Sequence, residues 1–346
     1  MKIAGAGWVT PLGADVEQVW GRLLSGETAP IEPLVNEQNG ARYLVRRIPR
    51  DALTNLPPHP RLRRASAISR FAAAAGLNAL HGTEVDPART ALIFAISNGG
   101  VIYTRRFYAE IVSSGAQSAS PLLFPETVFN APASHLAAIL GITGASYTVV
   151  GDGAVGILAL KLAEDLLAAR QVEACLVVGV EELDPLVCEA YRRWRLLRDP
   201  TRPQSQRGMI LSEGAGAVLL RNDSGDMAIE TVDPGENFFS RDEIAGKLRR
   251  AVARLPSEYE VGIGSANGTF IDQAERAALG TKLTLYSPKL ALGDSIGASV
   301  LWQVIVAQQA LRSEKVPGAE VANARRALVL ACGVNQQLGL CTIRSL

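Results

Sequence analysis

Four cysteines, three histidines and an aromatic content of 5 % are the scarcest features of this 346-residue chain. The cysteines, at positions 175, 188, 332 and 341, never fall into Cys-x-x-Cys spacing, which argues against a zinc ribbon or a dithiol redox pair. Cys175 and Cys341 lie in apolar runs, where a cysteine reads as a small buried hydrophobe. His59, His81 and His135 are far apart, so no metal site is expected and no cofactor is called for. Charge of one sign is lacking too. The 35 basic residues against 34 acidic ones leave a net charge of +1, which disfavours a nucleic-acid partner. No run reaches the roughly 18 consecutive apolar residues of a membrane helix. The opening MKIAGAGWVTPLG reads as a strand and a turn without the basic start of a secretory signal. A cytoplasmic protein with no membrane partner is therefore expected.

What the chain has in quantity is alanine, glycine, leucine and valine, a composition suited to helices packed closely on a sheet. Its length exceeds one typical core, so two cores or a duplicated unit are expected. ALIFAIS (91–97) and ACLVVG (174–179) read as strands buried on both faces. Residues 30–60, with prolines and paired arginines, read as irregular surface, and GMILSEGAGAVLLR (208–221) as a glycine-rich hairpin. From Met227 the strand-and-helix pattern restarts, with helices over 242–254 and 293–312 and a last pair of strands near 327–332 and 338–343. The fold class is α/β, internally duplicated, with halves at 1–222 and 223–346 forming one compact unit.

The chain is organised around GITGASYTVVGDGAVG (141–156) and the apolar helix after it. Tyr147–Val150 is strand-like, Gly151-Asp152-Gly153 is a tight turn, and a helix starts near Ala154. Strand, turn and helix N-terminus together aim one side chain into a pocket backed by N–H groups. The apex, where a nucleophile belongs, reads Asp-Gly.

Several ordered segments carry a resemblance to a known family. GAGWVTPLGADVEQVWGRLLSGE is similar to the opening of the β-ketoacyl-acyl carrier protein synthases, and SPLLFPETVFNAPASHLAAILGITGASYTVV, which contains Asn130, to their approach to the nucleophile. GMILSEGAGAVLL resembles their glycine-rich segment. ANGTFIDQAE and SPKLALGDSIGAS align with their two catalytic-histidine motifs. The resemblance implies the thiolase-like fold of alternating α and β layers, α-β-α-β-α. It also implies what has been lost. The cysteine position falls on Gly153 and the histidine positions on Asn267 and Asp294, while Lys289 keeps the lysine of the second motif. The aromatic gating loop reads Cys332-Gly333-Val334-Asn335-Gln336.

A replacement active site would have to use Asp152, Asn267 or Asp294 on an acyl thioester, in a transferase or hydrolase role. Against this, Asp152 is read as a helix cap, Cys332 as a plain buried thiol, Lys289 with Asp294 as an ion pair, and His135 as a core histidine. The resemblance implies a second use of the fold. In type II polyketide and polyene systems a cysteine-less subunit, the chain-length factor, pairs with an active ketosynthase and closes its acyl tunnel. Such a subunit would pair through Ser146–Val150, including Tyr147 and Val149, and would cap the tunnel with Phe107, Phe124, Val128 and Phe129, unless these simply fill a core. The basic run with Arg192, Arg193, Arg195 and Arg198 would attract an acyl carrier protein, unless Glu181, Glu182 and Asp184 balance it on a solvated helix face. A homodimeric pseudoenzyme is the third reading.

Overall fold

The computed structural model describes residues 1–202, 204–255, 258–280 and 283–346. Ten strands form one large sheet, numbered here in chain order. They are β1 (Lys2–Val9), β2 (Thr90–Ile96), β3 (Ser146–Val150), β4 (Ala174–Glu181), β5 (Gly214–Arg221), β6 (Met227–Asn237), β7 (Val261–Ile263), β8 (Thr284–Tyr286), β9 (Arg326–Cys332) and β10 (Gln337–Ser345). Their spatial order is β8-β7-β9-β10-β6-β1-β5-β4-β2-β3. Each half of the chain supplies five strands, and adding five to every label of the first half reproduces the order of the second. The duplication expected from the restarting pattern is thus visible in topology. The two half-sheets meet where β1 pairs with β6, at Lys2↔Ala228 and Ile3↔Met227, with Met1 and Ile229 hydrogen-bonded beyond them.

Helices divide the rest into layers. α5 (Val155–Ala168) and α10 (Ser299–Ser313) each touch strands of both halves, so they form the middle layer. α2 (Ala67–Leu80) and α4 (Ala131–Leu140) cover the outer side of the first half, and α7 (Ile244–Ala253), beside α8 (Phe270–Leu279), covers the second. Alternation along each strand explains the arrangement. In β2, Ile93 enters the central core with Val155 and Val304, while Leu92 and Phe94 join Ala72–Ala75 of α2 in an outer core. In β9, Val329 points to the centre while Leu328 and Leu330 meet Ile244 and Leu248. A strand flanked by helices on both sides has no polar face, which is why these segments are apolar throughout. α5 and α10 cross at Gly156, where an added Cβ would stand 2.5 Å from that of Val300.

Four expectations need correction. The helix expected over 293–312 is instead a short α9 (Pro288–Leu292) followed by α10, because Gly293 at φ +85° ends the first. The expected hairpin at 208–221 is instead two strands in different sheets: Leu211–Ser212 pairs in parallel with Arg42–Arg46, and Gly214–Arg221 is β5 of the large sheet. β5 lies between β1 and β4, antiparallel to both, and its Gly216 leaves room for Leu301 and Trp302 of α10. Within 30–60, Glu32–Val35 and Arg42–Arg46 pair as strands and bury Tyr43 and Val45. Glu181, Glu182 and Asp184 are buried and do not balance a solvated face. Glu181 accepts the Ser97 and Asn98 N–H groups, Glu182 those of Ile68 and Ile102, and Asp184 pairs with Arg105 at 2.8 Å. No helix among the described residues is long and apolar enough to cross a membrane.

Candidate functional site

β3 is an edge strand, paired in parallel with β2 from Leu92↔Ser146 to Ile96↔Val150 and open on its other side. The Gly151 N–H extends that ladder to the Ile96 carbonyl, and the chain then turns through Asp152 and Gly153 into α5. Asp152 does not cap the helix as expected. Ala154 occupies the cap position, with no side-chain hydrogen bond. The Asp152 carboxylate points across to the 333–337 turn instead, where its Oδ2 accepts N–H groups of Asn335 (2.9 Å) and Gln336 (3.1 Å), with Gln337 at 3.5 Å. Gln337 reciprocates, its Oε1 accepting the Asp152 N–H at 2.9 Å. Consecutive N–H groups around one carboxylate oxygen form an anion nest, here filled by the chain itself. The carboxylate packs so closely on Gly333 that a Cβ there would overlap it, and Oδ1 has no hydrogen-bond partner. A Cβ on Gly153, where the nucleophile would branch, would stand 3.0 Å from the Gly333 Cα. The turn therefore crowds the space beside the apex.

Asn267 and Asp294, read from the resemblance as standing at the two histidine positions, meet directly. Asn267 Nδ2 donates to Asp294 Oδ2 at 2.8 Å, and Lys289 Nζ donates to the same oxygen at 3.2 Å. Asp294 Oδ1 accepts the Ile296 N–H at 3.2 Å and the Ser299 hydroxyl at 3.0 Å. Asn267 Oδ1 accepts from the Thr269 hydroxyl at 2.6 Å. Asn267, Lys289 and Asp294 are all buried. Each charge has a partner and each amide atom a bond, so the network is closed.

Around it stand groups that burial drives toward their neutral forms. Glu275, accepting the Ser265 and Ala266 N–H groups, is raised by desolvation to about 7 even with Lys289 nearby. Desolvation also pushes the Cys332 thiol far up, and Cys332 is fully buried, so it is no thiolate. Tyr191 is the member that sequence reasoning missed. It opens the basic run but is buried, and desolvation together with the Asp152, Glu181 and Asp294 carboxylates raises its hydroxyl. The available signal was helical spacing: Val187, Cys188 and Tyr191 form the buried face of α6 (Pro185–Arg193).

Several of the residues expected to reach a partner are exposed. Phe124, Val128, Phe129 and Tyr147 are exposed, Asn130 sits at the N-terminus of α4, and α4 packs beside the edge strand. Val149 is half-buried against the central core. Phe107 and Phe124 stack with centroids 5.7 Å apart, and the Phe129 ring covers the turn at Gly99. His135 binds Glu126 at 2.6 Å, tying this segment to α4.

The basic run turns out to be divided. Arg192 and Arg193 both bind Glu189, at 2.7 and 2.9 Å, whereas among the described residues Arg195 and Arg198 have no carboxylate partner. Arg195 and Arg198 join Arg42, Arg207, Arg241 and Arg276, brought from other segments, around a cleft of about 1740 Å³ floored by Gly208, Gly268 and Thr269. The cleft lining ends one residue short of Asn267 and includes neither Asp152 nor Asp294.

Residues 1–225 match the family model of the β-ketoacyl synthase N-terminal domain. The chain is 23 % identical to 3-oxoacyl-acyl-carrier-protein synthase 2 of Vibrio harveyi over 234 residues, 63 % of this chain and 56 % of that protein. The corresponding protein of Vibrio cholerae is 23 % identical over 364 residues, 91 % of this chain and 86 % of that one. Among solved structures, the ishigamide ketosynthase/chain length factor superposes with a TM-score of 0.79 at 18 % identity, covering 100 % of this chain and 99 % of that one. AntDE:AntF, a type II polyketide synthase acyl-carrier protein in complex with its ketosynthase bound to the hexaketide, gives 0.79 at 15 % identity, with coverage of 100 % and 99 %. The fold is that of the thiolase-like ketosynthases, and the chain belongs to the β-ketoacyl synthase family.

Proposed function

We propose that this protein is a non-catalytic ketosynthase-like subunit that pairs with an active β-ketoacyl synthase and shapes its acyl tunnel. The closed Asn267–Asp294–Lys289 network carries this reading. Condensation in this family needs a thiolate to carry the acyl chain and proton-handling groups to support decarboxylation. Here the thiolate position is glycine. The groups at the histidine positions are saturated by each other, and the one large cleft described stops short of them. A base or donor held by a buried partner must give up or share that bond before it can serve a substrate.

The open edge of β3, beside exposed Phe124, Val128 and Phe129, supports pairing through that surface. An unpaired edge bearing apolar side chains is a template for another chain. On this reading Tyr147 and Val149 lie at the contact, Phe107 and Phe129 cap the partner's tunnel, and an acyl carrier protein approaches the rim at Arg192, Arg193, Arg195 and Arg198. The similarity to a ketosynthase/chain length factor and to a carrier-protein complex supports both partners. One atom favours the divergent-enzyme alternative, the unpartnered Oδ1 of Asp152. The test is product length from the reconstituted pair. Phe129→Ala is expected to lengthen the acyl chain while leaving the elongation rate within a few-fold. Unchanged product length, or elongation by this chain alone, would refute the reading.

A further inference from the structure

The arginine cleft holds more positive charge than its surroundings offset. Among the described residues, Arg42, Arg195, Arg198, Arg207, Arg241 and Arg276 line it without a carboxylate within 4.0 Å. The acidic residues in its wall are already engaged: Asp199 pairs with Arg202, and Asp272 accepts the Asn267 and Gly268 N–H groups. Behind this wall stands Arg46, only 4 % exposed. Its Nη1 donates to the Ala291 carbonyl and its Nε has no partner. Burial and the neighbouring Arg198 charge lower the Arg46 guanidinium to about 10. The Nε of Arg198 is likewise buried without a hydrogen bond. Two neighbouring guanidinium groups, each with an N–H lacking an acceptor and neither ion-paired among the described residues, are stabilised by an anion that offsets both.

We propose that the cleft is a binding site for a small molecule carrying a diphosphate or a larger phosphate cluster, seated on Arg198 and enclosed by Arg195, Arg207, Arg241 and Arg276. The number of free cations selects multiple negative charge, since a single carboxylate would leave most of them uncompensated. The planar fork of arginine suits phosphate oxygens, which accept paired N–H bonds. The cleft volume admits a compact ligand, and Arg192 at its edge is already paired with Glu189, which leaves the other arginines for it. The site stands whether or not the chain pairs with a ketosynthase.

Titration calorimetry and thermal unfolding of the full chain, at constant ionic strength, would test this with inorganic pyrophosphate, ATP and orthophosphate. Pyrophosphate and ATP are expected to raise Tm and to bind at least about tenfold more tightly than orthophosphate, a difference of about 1.4 kcal/mol. Arg198→Gln and Arg241→Gln should each weaken pyrophosphate about tenfold or more, while Arg254→Gln, on a distant ion pair with Asp233, should leave it unchanged. If Arg198→Gln fails to fold, Arg241→Gln and Arg276→Gln carry the same test from the opposite wall. Equal binding of orthophosphate and pyrophosphate, or pyrophosphate affinity indifferent to these arginines, would overturn the proposal. So would a carrier protein that occupies the cleft and is not displaced by pyrophosphate.

Discussion

Two neighbouring regions treat charge in opposite ways. At the centre, buried Lys289, Asp294 and Asn267 are bonded to one another, and buried Asp152 is bonded to the 335–337 backbone. In the cleft beyond Thr269, six guanidinium groups have no carboxylate partner among the described residues. A site poised for chemistry keeps groups unsatisfied until substrate arrives, and a structural network does not. By that criterion the centre behaves as part of the core, while the cleft has the character of a binding surface.

If so, breaking the centre should cost most. Asp294→Ala leaves the Lys289 ammonium buried and unpaired and removes the acceptor for Asn267, Ile296 and Ser299. A loss of about 3–5 kcal/mol is expected in denaturant unfolding, and the Lys289→Met/Asp294→Ala double variant should recover part of it. Full stability in the single variant would mean the network is not closed. Asp152→Ala should cost less, about 1–3 kcal/mol, by orphaning the N–H groups of Asn335 and Gln336. Hydrogen exchange in 335–337 should accelerate ahead of global unfolding, and unchanged protection would rule out the latch.

A pH dependence sharpens the same contrast. Burial raises Glu181 from 4.5 to about 8, and Glu182 and Glu275 from 4.5 to about 7. Between those limits the folded chain holds protons that the unfolded chain has released. Stability therefore falls as pH rises through that window, by at most about 1.4 kcal/mol per pH unit per group. Melting between pH 8 and 5 should show Tm rising on acidification, less steeply in Glu275→Gln. The smallest effect belongs to the rim. Arg192→Ala breaks a solvent-exposed pair with Glu189 and should change stability by about 0–1 kcal/mol.

The layered fold was legible because strands buried on both faces must be apolar, and 91–97 and 174–179 are. The register of the duplicated sheet was not written locally. It emerged only when β6–β10 proved to follow the order of β1–β5. At the centre, the aligned motifs located Gly153, Asn267, Lys289 and Asp294, because glycine turns and short helix starts have strong local signatures. The role of Asp152 was misread as a cap, since its real partners lie over 180 residues away at Asn335 and Gln336. Tyr191 was hidden among arginines, though its helical spacing marked a buried face. The cleft was half visible. Arg195 and Arg198 belong to one run, but Arg42, Arg241 and Arg276 converge only through tertiary structure.

The central claim concerns pairing, and the mass of the assembly tests it most directly. Co-expressed with an active β-ketoacyl synthase and examined by native mass spectrometry, this chain is expected in a one-to-one heterodimer. That assembly should be lost when Tyr147 on the open edge strand is replaced by aspartate. A homodimer or monomer that persists with the ketosynthase in excess would contradict the account.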